Sequence, residues 1–312
     1  MQSSPVSITG AGRLAPALAL LASLALAAGC SGSDTPLNNN NNTASDRCPA
    51  GYVLVPGGTF TMGVNAEEIT DFDITWSPNM GPAHKVTLTS DFCMSKAEIT
   101  VAQYRSCRSA GTCTGTGPVP MVQDAECNYS DTDTSRDNHP VSCLTWLQAR
   151  EYCQAQGGDL GTNAQWTRAA QGDDRRFYPW GNDEPTCDRA NYDVNGPSGQ
   201  EENGKGCDET TTPPYTWPVG SKPAGASPYG ILDMAGNVAE LVLDCARSQQ
   251  ICDGELGCVD PLDMHCDDDS ARFTIGGSSG TAWDFQIFNR GSTVSDYSPG
   301  VGVRCVTKPR DR

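Results

Sequence analysis

The seventeen residues of Pro228–Asp244, PYGILDMAGNVAELVLD, constrain this chain more than any other stretch. Tyr229-Gly230 ends an extended segment, and Ile231-Leu232 supply two apolar side chains for burial. Gly236 can take a positive φ in the turn that follows. Asn237 stands three residues before Glu240, the spacing of a helix N-cap and its reciprocal acid. Val238, Leu241 and Val242 then form a short apolar face at helical spacing. The same residues also read as a calcium loop. Asp233 and Glu240 bring carboxylate oxygens, and the bend at Gly236 turns carbonyls toward a hard cation wanting roughly six to eight oxygens. Spacing alone leaves both readings open.

PYGILDMAGNVAEL resembles the YGLYDMAGNVWEW signature of the formylglycine-generating enzyme (sulfatase-modifying factor) family, differing mainly where a Trp pair is replaced by Ala239 and Leu241. The resemblance places a structural calcium in this loop, on Asp233, Gly236, Val238 and Glu240. Further motifs run along the chain in family order. VPGGTFTMG resembles the family's opening, and FCMSKAEIT its "F-x-(hydrophobic)-x-x-x-E-V-T". His139–Cys153 resembles "P-V-x-x-V-S-W-x-D-A-x-x-Y-C", which implies that Cys153 pairs with Cys305. GDLGTNAQWTRAAQG keeps the family's packing positions Leu160, Thr162, Ala164, Trp166, Ala169, Ala170 and Gly172, while its Glu positions have become Asn163, Gln165 and Thr167. Arg189-Ala190-Asn191-Tyr192 resembles the start of a second calcium site, with Asn191 giving a side-chain oxygen, Tyr192 a carbonyl and Asp208 the downstream acid.

The N-terminus reads as a targeting segment. Arg13 precedes an apolar run from Leu14 to Ala28, too short for a membrane span and suited to a signal peptide. The run ends Ala27-Ala28-Gly29-Cys30, which resembles a bacterial lipobox with Cys30 as the lipidated residue. Residues 31–47 are polar, with five consecutive Asn, and read as a tether. The expected organisation is therefore a signal peptide over 1–30, a tether over 31–47 and one domain over 48–309. The protein would sit on the bacterial envelope, more on the outer than the inner membrane, or be secreted if the lipobox is unused. Contact with the membrane would run through the Cys30 lipid only.

Cysteine usage agrees with export. Fifteen cysteines less the anchor leave fourteen, an even number in a chain bound for an oxidising compartment. Cys107 and Cys113 bracket a turn and could close a small loop. Cys245, Cys252, Cys258 and Cys266 are separated by six, five and seven residues and lack a CxxC pair, so two disulfides are favoured over zinc. Lys plus Arg number 21 against 38 Asp plus Glu, a net charge of −17 that argues against a nucleic-acid partner.

The coarse structure follows from periodicity. Tyr52–Val55, Thr59–Gly63 and His84–Leu88 read as strands, the second with Phe60 and Met62 on one face. Thr100 caps a helix running through Val101, Tyr104 and Cys107. A second helix, Leu147–Gln156, turns Ala149, Tyr152 and Cys153 inward together with Trp146. Asn65–Pro82 is polar and turn-rich and reads as a surface loop. With 33 Gly and 21 Pro, the chain suits a loop-rich globule.

The resemblance implies an oxygenase that holds Cu(I) on two thiolates shortly after a Gly-Gly-Ser. Here those positions fall near Thr281 and Gln286, after Ser278, with no cysteine between Cys266 and Cys305. A hydroxyl and an amide do not grip Cu(I) as thiolates do, so copper is not expected. Iron-dependent relatives take their metal on a histidine cluster, whereas this chain has only His84, His139 and His265. There is no GxSxG, P-loop or HExxH. The expected fold is α+β, the C-type-lectin-like arrangement of the family, stapled by disulfides. The expected function is a calcium-braced module, non-catalytic, that binds a protein or small molecule at the envelope surface. The alternative is a metal-dependent oxidase or oxygenase acting on cysteine or another small substrate through different ligands.

Overall fold

Alternation of apolar residues sets the first strands of the computed structural model, which describes residues 44–69, 80–115, 117–118, 120, 123–192, 207, 216–246, 258–264, 271–280, 286–293 and 297–311. All of them lie in one compact unit, Asn42–Arg312. In chain order the elements are β1 (Tyr52–Val55), β2 (Gly58–Met62), β3 (His84–Leu88), β4 (Phe92–Ser95), α1 (Val101–Ser109), α2 (Trp146–Ala155), β5 (Asp159–Leu160) and α3 (Asn163–Gln171). They continue as β6 (Ala239–Cys245), β7 (Cys258–Val259), β8 (Arg272–Ile275), β9 (Arg290–Thr293), β10 (Val301–Val303) and β11 (Cys305–Thr307).

The strands form three sheets, of order β1-β4-β11-β5, β10-β6-β8-β9 and β2-β3-β7. Most pairs are antiparallel, while β10–β6 and β3–β7 are parallel. Phe60 and Met62 are buried together on β2, as alternation requires. Each helix opens with a capping box: Thr100 with Gln103, Thr145 with Gln148, and Thr162 with Gln165. Each cap satisfies otherwise orphaned amides and contributes about 1 kcal/mol. Gln165 stands where the resembling motif has Glu, so the cap is kept without its charge. One core gathers Trp166, Ile231, Met234, Phe273 and Ile275 between α3 and the sheets; a second gathers Tyr104, Tyr152, Leu241 and Val303 around α1 and α2.

Disulfides join Cys48 to Cys93, Cys107 to Cys113, Cys127 to Cys143, Cys153 to Cys305 and Cys187 to Cys207. The implied Cys153–Cys305 bridge is present and ties α2 to the closing strand β11. Cys245 and Cys258 are also disulfide-bonded, which removes both as zinc thiolates. Cys30, Cys252, His265 and Cys266 lie outside the described residues.

Two expectations are corrected. Residues 239–245 form strand β6 and not a capped helix. A short apolar run does not distinguish strand from buried helix by period alone, and β6 is paired on both sides, by β10 and β8, with nearly every residue buried. The ends of the Asn65–Pro82 segment are also not surface: Ile69 and Met80 pack with Val64 and Phe288. Asp71 and Asp73 lie outside the described residues.

Candidate functional site

The Gly-Asn turn of the first-noted stretch is held by left-handed residues. Asp233, Gly236 and Asn237 have φ of 56°, 78° and 64°. Asp and Asn tolerate this region better than other side chains. Only glycine fits at 236, because a Cβ there would lie 2.2 Å from the Asn191 carbonyl oxygen. The turn brings Asn191 alongside: Asn237 donates its backbone N–H to the Asn191 carbonyl at 2.8 Å, and the Asn191 side-chain amide lies 3.4 Å from Asn237 Oδ1.

Asn237 is the hub of a buried polar network. Its Nδ2 donates to Glu98 Oε2 at 2.6 Å, and its Oδ1 accepts from the Trp217 amide at 2.9 Å. Glu98 Oε1 accepts from the Val238 amide at 3.1 Å. Glu98, Asp233, Glu240 and Arg304 are all buried. Three carboxylates thus face one guanidinium. Burial drives the Glu98 carboxyl well above its usual range, and the charges of Asp233 and Glu240 push it further. Burial likewise raises Asp233, opposed by the hydrogen bond from the Gly220 amide. Burial alone would lower Arg304, but the charge and hydrogen bonds of Glu240 hold it above its ordinary value.

Fit to a calcium ion divides residue by residue. Glu240, an expected ligand, is hydrogen-bonded through both carboxylate oxygens. Oε1 accepts from Arg304 Nε at 2.9 Å and Nη2 at 2.7 Å, while Oε2 accepts from Arg304 Nε at 2.9 Å and Trp166 Nε1 at 2.6 Å. The two oxygens thus share the single Nε–H of Arg304, and each takes one further donor. Asp233 differs: Oδ2 accepts from the Gly220 amide, and Oδ1 accepts no hydrogen bond among the described residues. Among the described residues no three His, Cys, Asp or Glu side chains converge to hold a metal. A cation here would lean on Asp233 and on carbonyls of the Gly236–Val238 turn. In the second expected set, Asn191 and Tyr192 are buried, Tyr192 donates its hydroxyl to the Pro185 carbonyl at 3.1 Å, and Asp208 lies outside the described residues.

The segment leading to Ser278 follows β8 through Gly276-Gly277, both at positive φ. Gly276 packs so closely that a Cβ would sit 3.1 Å from the Met234 carbonyl and from the Trp166 ring. Ser278 lies against Gly300, and Thr281 is outside the described residues. Gln286 is fully buried and hydrogen-bonded to Tyr178, which stacks on Trp180 at 5.0 Å between ring centroids. The next amide, Ile287 N–H, donates to the Phe177 carbonyl at 2.9 Å. Gln286 therefore fastens its segment to the aromatic turn at 177–181. All twelve described cysteines are in disulfides, so no thiolate is available among them. His139 is pushed down to about 4 by burial and by Arg136, which keeps it neutral at pH 7; its Nδ1 lies 3.0 Å from Thr216 Oγ1. His84 Nδ1 lies 2.9 Å from the Pro82 carbonyl. The two imidazoles are thus engaged locally.

From sequence Asn237 reads as a helix N-cap, not as a network hub, and Glu98 and Trp217 carry no site role. The signal for Glu98 was its place as the acid of the E-V-T-like run Glu98-Ile99-Thr100. Trp217 carried none.

The match to a family model now completes the picture: the model of the sulfatase-modifying factor enzyme 1-like domain matches residues 38–309. The chain belongs to this family. Its similarity to a formylglycine-generating enzyme of Thermomonospora curvata is 26% identity over 301 residues, covering 83% of this chain and 94% of that protein. A hercynine oxygenase of Mycolicibacterium smegmatis is 30% identical over 213 residues, covering 60% of this chain but 44% of the relative. An uncharacterised protein of Bacillus subtilis, YfmG, is 31% identical over 135 residues, 42% of this chain and 27% of its own length. The chain thus spans less than half the length of these last two relatives. Among solved structures, PvdO from Pseudomonas aeruginosa superimposes with a TM-score of 0.61 at 21% identity, covering 82% of this chain and 94% of that one. The sulfatase-modifying-factor fold, α+β and loop-rich with several disulfides, is therefore this chain's fold.

Proposed function

We propose that this sulfatase-modifying-factor domain is a non-catalytic binding module, carried on the bacterial envelope by the Cys30 lipid. One observation carries the reading. Gln286, near which the resemblance puts one of the family's two thiolates, is wholly buried and tied to Tyr178. An amide in that place serves packing and does not bind Cu(I). A structural calcium at Asp233 and the Gly236–Val238 carbonyls suits the excess of buried negative charge around Glu98, and bound calcium would supply bracing, not reaction chemistry. Disulfides and such a brace can hold variable loops on a stable frame.

Similarity to a hercynine oxygenase supports the competing reading, a metal-dependent oxygenase with other ligands. The test is to purify the protein, measure bound copper and iron, and follow oxygen consumption with a cysteine-containing peptide. Absence of turnover after loading with either metal is the expected result. Stoichiometric copper or iron with turnover would overturn the proposal.

A further inference from the structure

A cavity of about 580 Å³ opens where the β3–β4 turn, β5, β11 and the residues after β7 meet. Its volume falls in the range of small-molecule sites. Leu88, Phe92, Leu160, Leu243 and Val306 give an apolar, buried floor, and Leu262 stands 40% exposed at the rim. Neither Ser278, Gln286 nor any residue of the Asp233 turn lines it.

The rim carries charge, and most of it is spent. Asp91 pairs with Arg47 at 2.8 Å, and Asp159 pairs with Arg150 at 3.0 Å. Two charges remain open. Asp260 holds a left-handed φ of 44°. Among the described residues its carboxylate is aimed by Thr89, through the Thr89 amide at 2.9 Å and the Thr89 hydroxyl at 2.5 Å. Neutral donors fix the orientation without cancelling the charge. Lys308 is exposed at the same cleft and makes no ion pair among the described residues. An unfavourable backbone conformation kept at a cleft mouth is a feature of ligand clamps.

We infer that this cleft binds a small zwitterion with apolar side chains, an amino acid or dipeptide, with its ammonium on Asp260, its carboxylate on Lys308 and its side chains on the Leu88–Leu160–Val306 floor. The cleft shares no residue with the Ser278–Gln286 region on which the non-catalytic reading rests, so either can fail without the other.

The test is isothermal titration of the intact protein with leucyl-leucine, its N-acetyl form and its C-terminal amide. The blocked forms keep the apolar side chains and lose one charge each. Leucyl-leucine is expected to bind, and each blocked form to bind about tenfold more weakly, as for loss of one charge-assisted contact. Asp260→Asn, which tolerates the left-handed backbone, is expected to abolish discrimination against the N-acetyl form. Lys308→Gln, at an exposed position, is expected to abolish discrimination against the amide. No binding of leucyl-leucine at ~10 mM, equal binding of the blocked forms, or discrimination unchanged in both variants would overturn the inference.

Discussion

Arg304 and Glu240 form a buried ion pair in which each side chain is 1% exposed. The guanidinium also donates to the carbonyls of Ser95 and Leu232, both at 2.7 Å. One arginine therefore links β4, the Asp233 turn and β6.

Removing one partner leaves the other charged and dry, so Arg304→Met is expected to destabilise the fold by about 3–5 kcal/mol. Pairing it with Glu240→Leu is expected to recover part of that loss, because the carboxylate that Arg304 contacts directly is no longer left dry and unpaired. Urea unfolding of the singles and the double gives the comparison; a double variant weaker than the sum of both singles would contradict this account.

Calcium occupancy of the turn predicts that chelation lowers the thermal midpoint. At calcium about 100-fold above its dissociation constant, the stabilisation is about 2.7 kcal/mol. Asp233→Asn keeps the left-handed turn and removes the charge, and is expected to abolish the calcium-dependent shift. A midpoint indifferent to chelator in the wild type would remove the ion from this site.

Asp244 supplies a pH dependence. Burial pushes its carboxyl from 3.8 up to about 6, against the hydrogen bond from the Asn163 amide at the start of α3, with Asp263 adding repulsion. The folded state thus binds the proton more tightly than the unfolded one. The stability this contributes is fully present below about pH 4 and is lost as pH rises through about 6, by as much as ~3 kcal/mol. Asp244→Asn should flatten that part of the stability–pH curve. A wild-type curve already flat between those limits would refute the assignment.

Cys153–Cys305 closes a loop of 152 residues. Replacing both by Ala is expected to cost up to about 5 kcal/mol, the entropy-model limit for a loop of that length. Cys107–Cys113, which closes only six, is expected to cost less. Thermal midpoints of the two double variants give the order; the reverse order would show that strain or unfolded-state structure dominates.

The frame was legible because its signals are local. Phe60 and Met62 alternate, Thr100 is followed at the right distance by Gln103, and Pro228–Asp244 is an unbroken motif. What was hidden depends on distant pairing. The run after Asn237 looked helical until β8 and β10 flanked it. The partners of Glu240 were hidden too, because nothing in its neighbourhood of sequence announces Trp166 or Arg304. Glu98 lies 139 residues from Asn237, a separation no window analysis spans. The Asp260 cleft escaped for the same reason, since Thr89 and Asp260 are 171 residues apart.

The placement of β11 has a consequence for biosynthesis. Cys305–Thr307 sits between β4 and β5 and not at a sheet edge. A polypeptide emerging vectorially, N-terminus first, exposes two unpaired ladders until this strand arrives, and bare ladders invite mispairing with other chains. Acquisition of the native sheet is thereby deferred until the last residues are available, so a holding chaperone would have its task set by this late insertion.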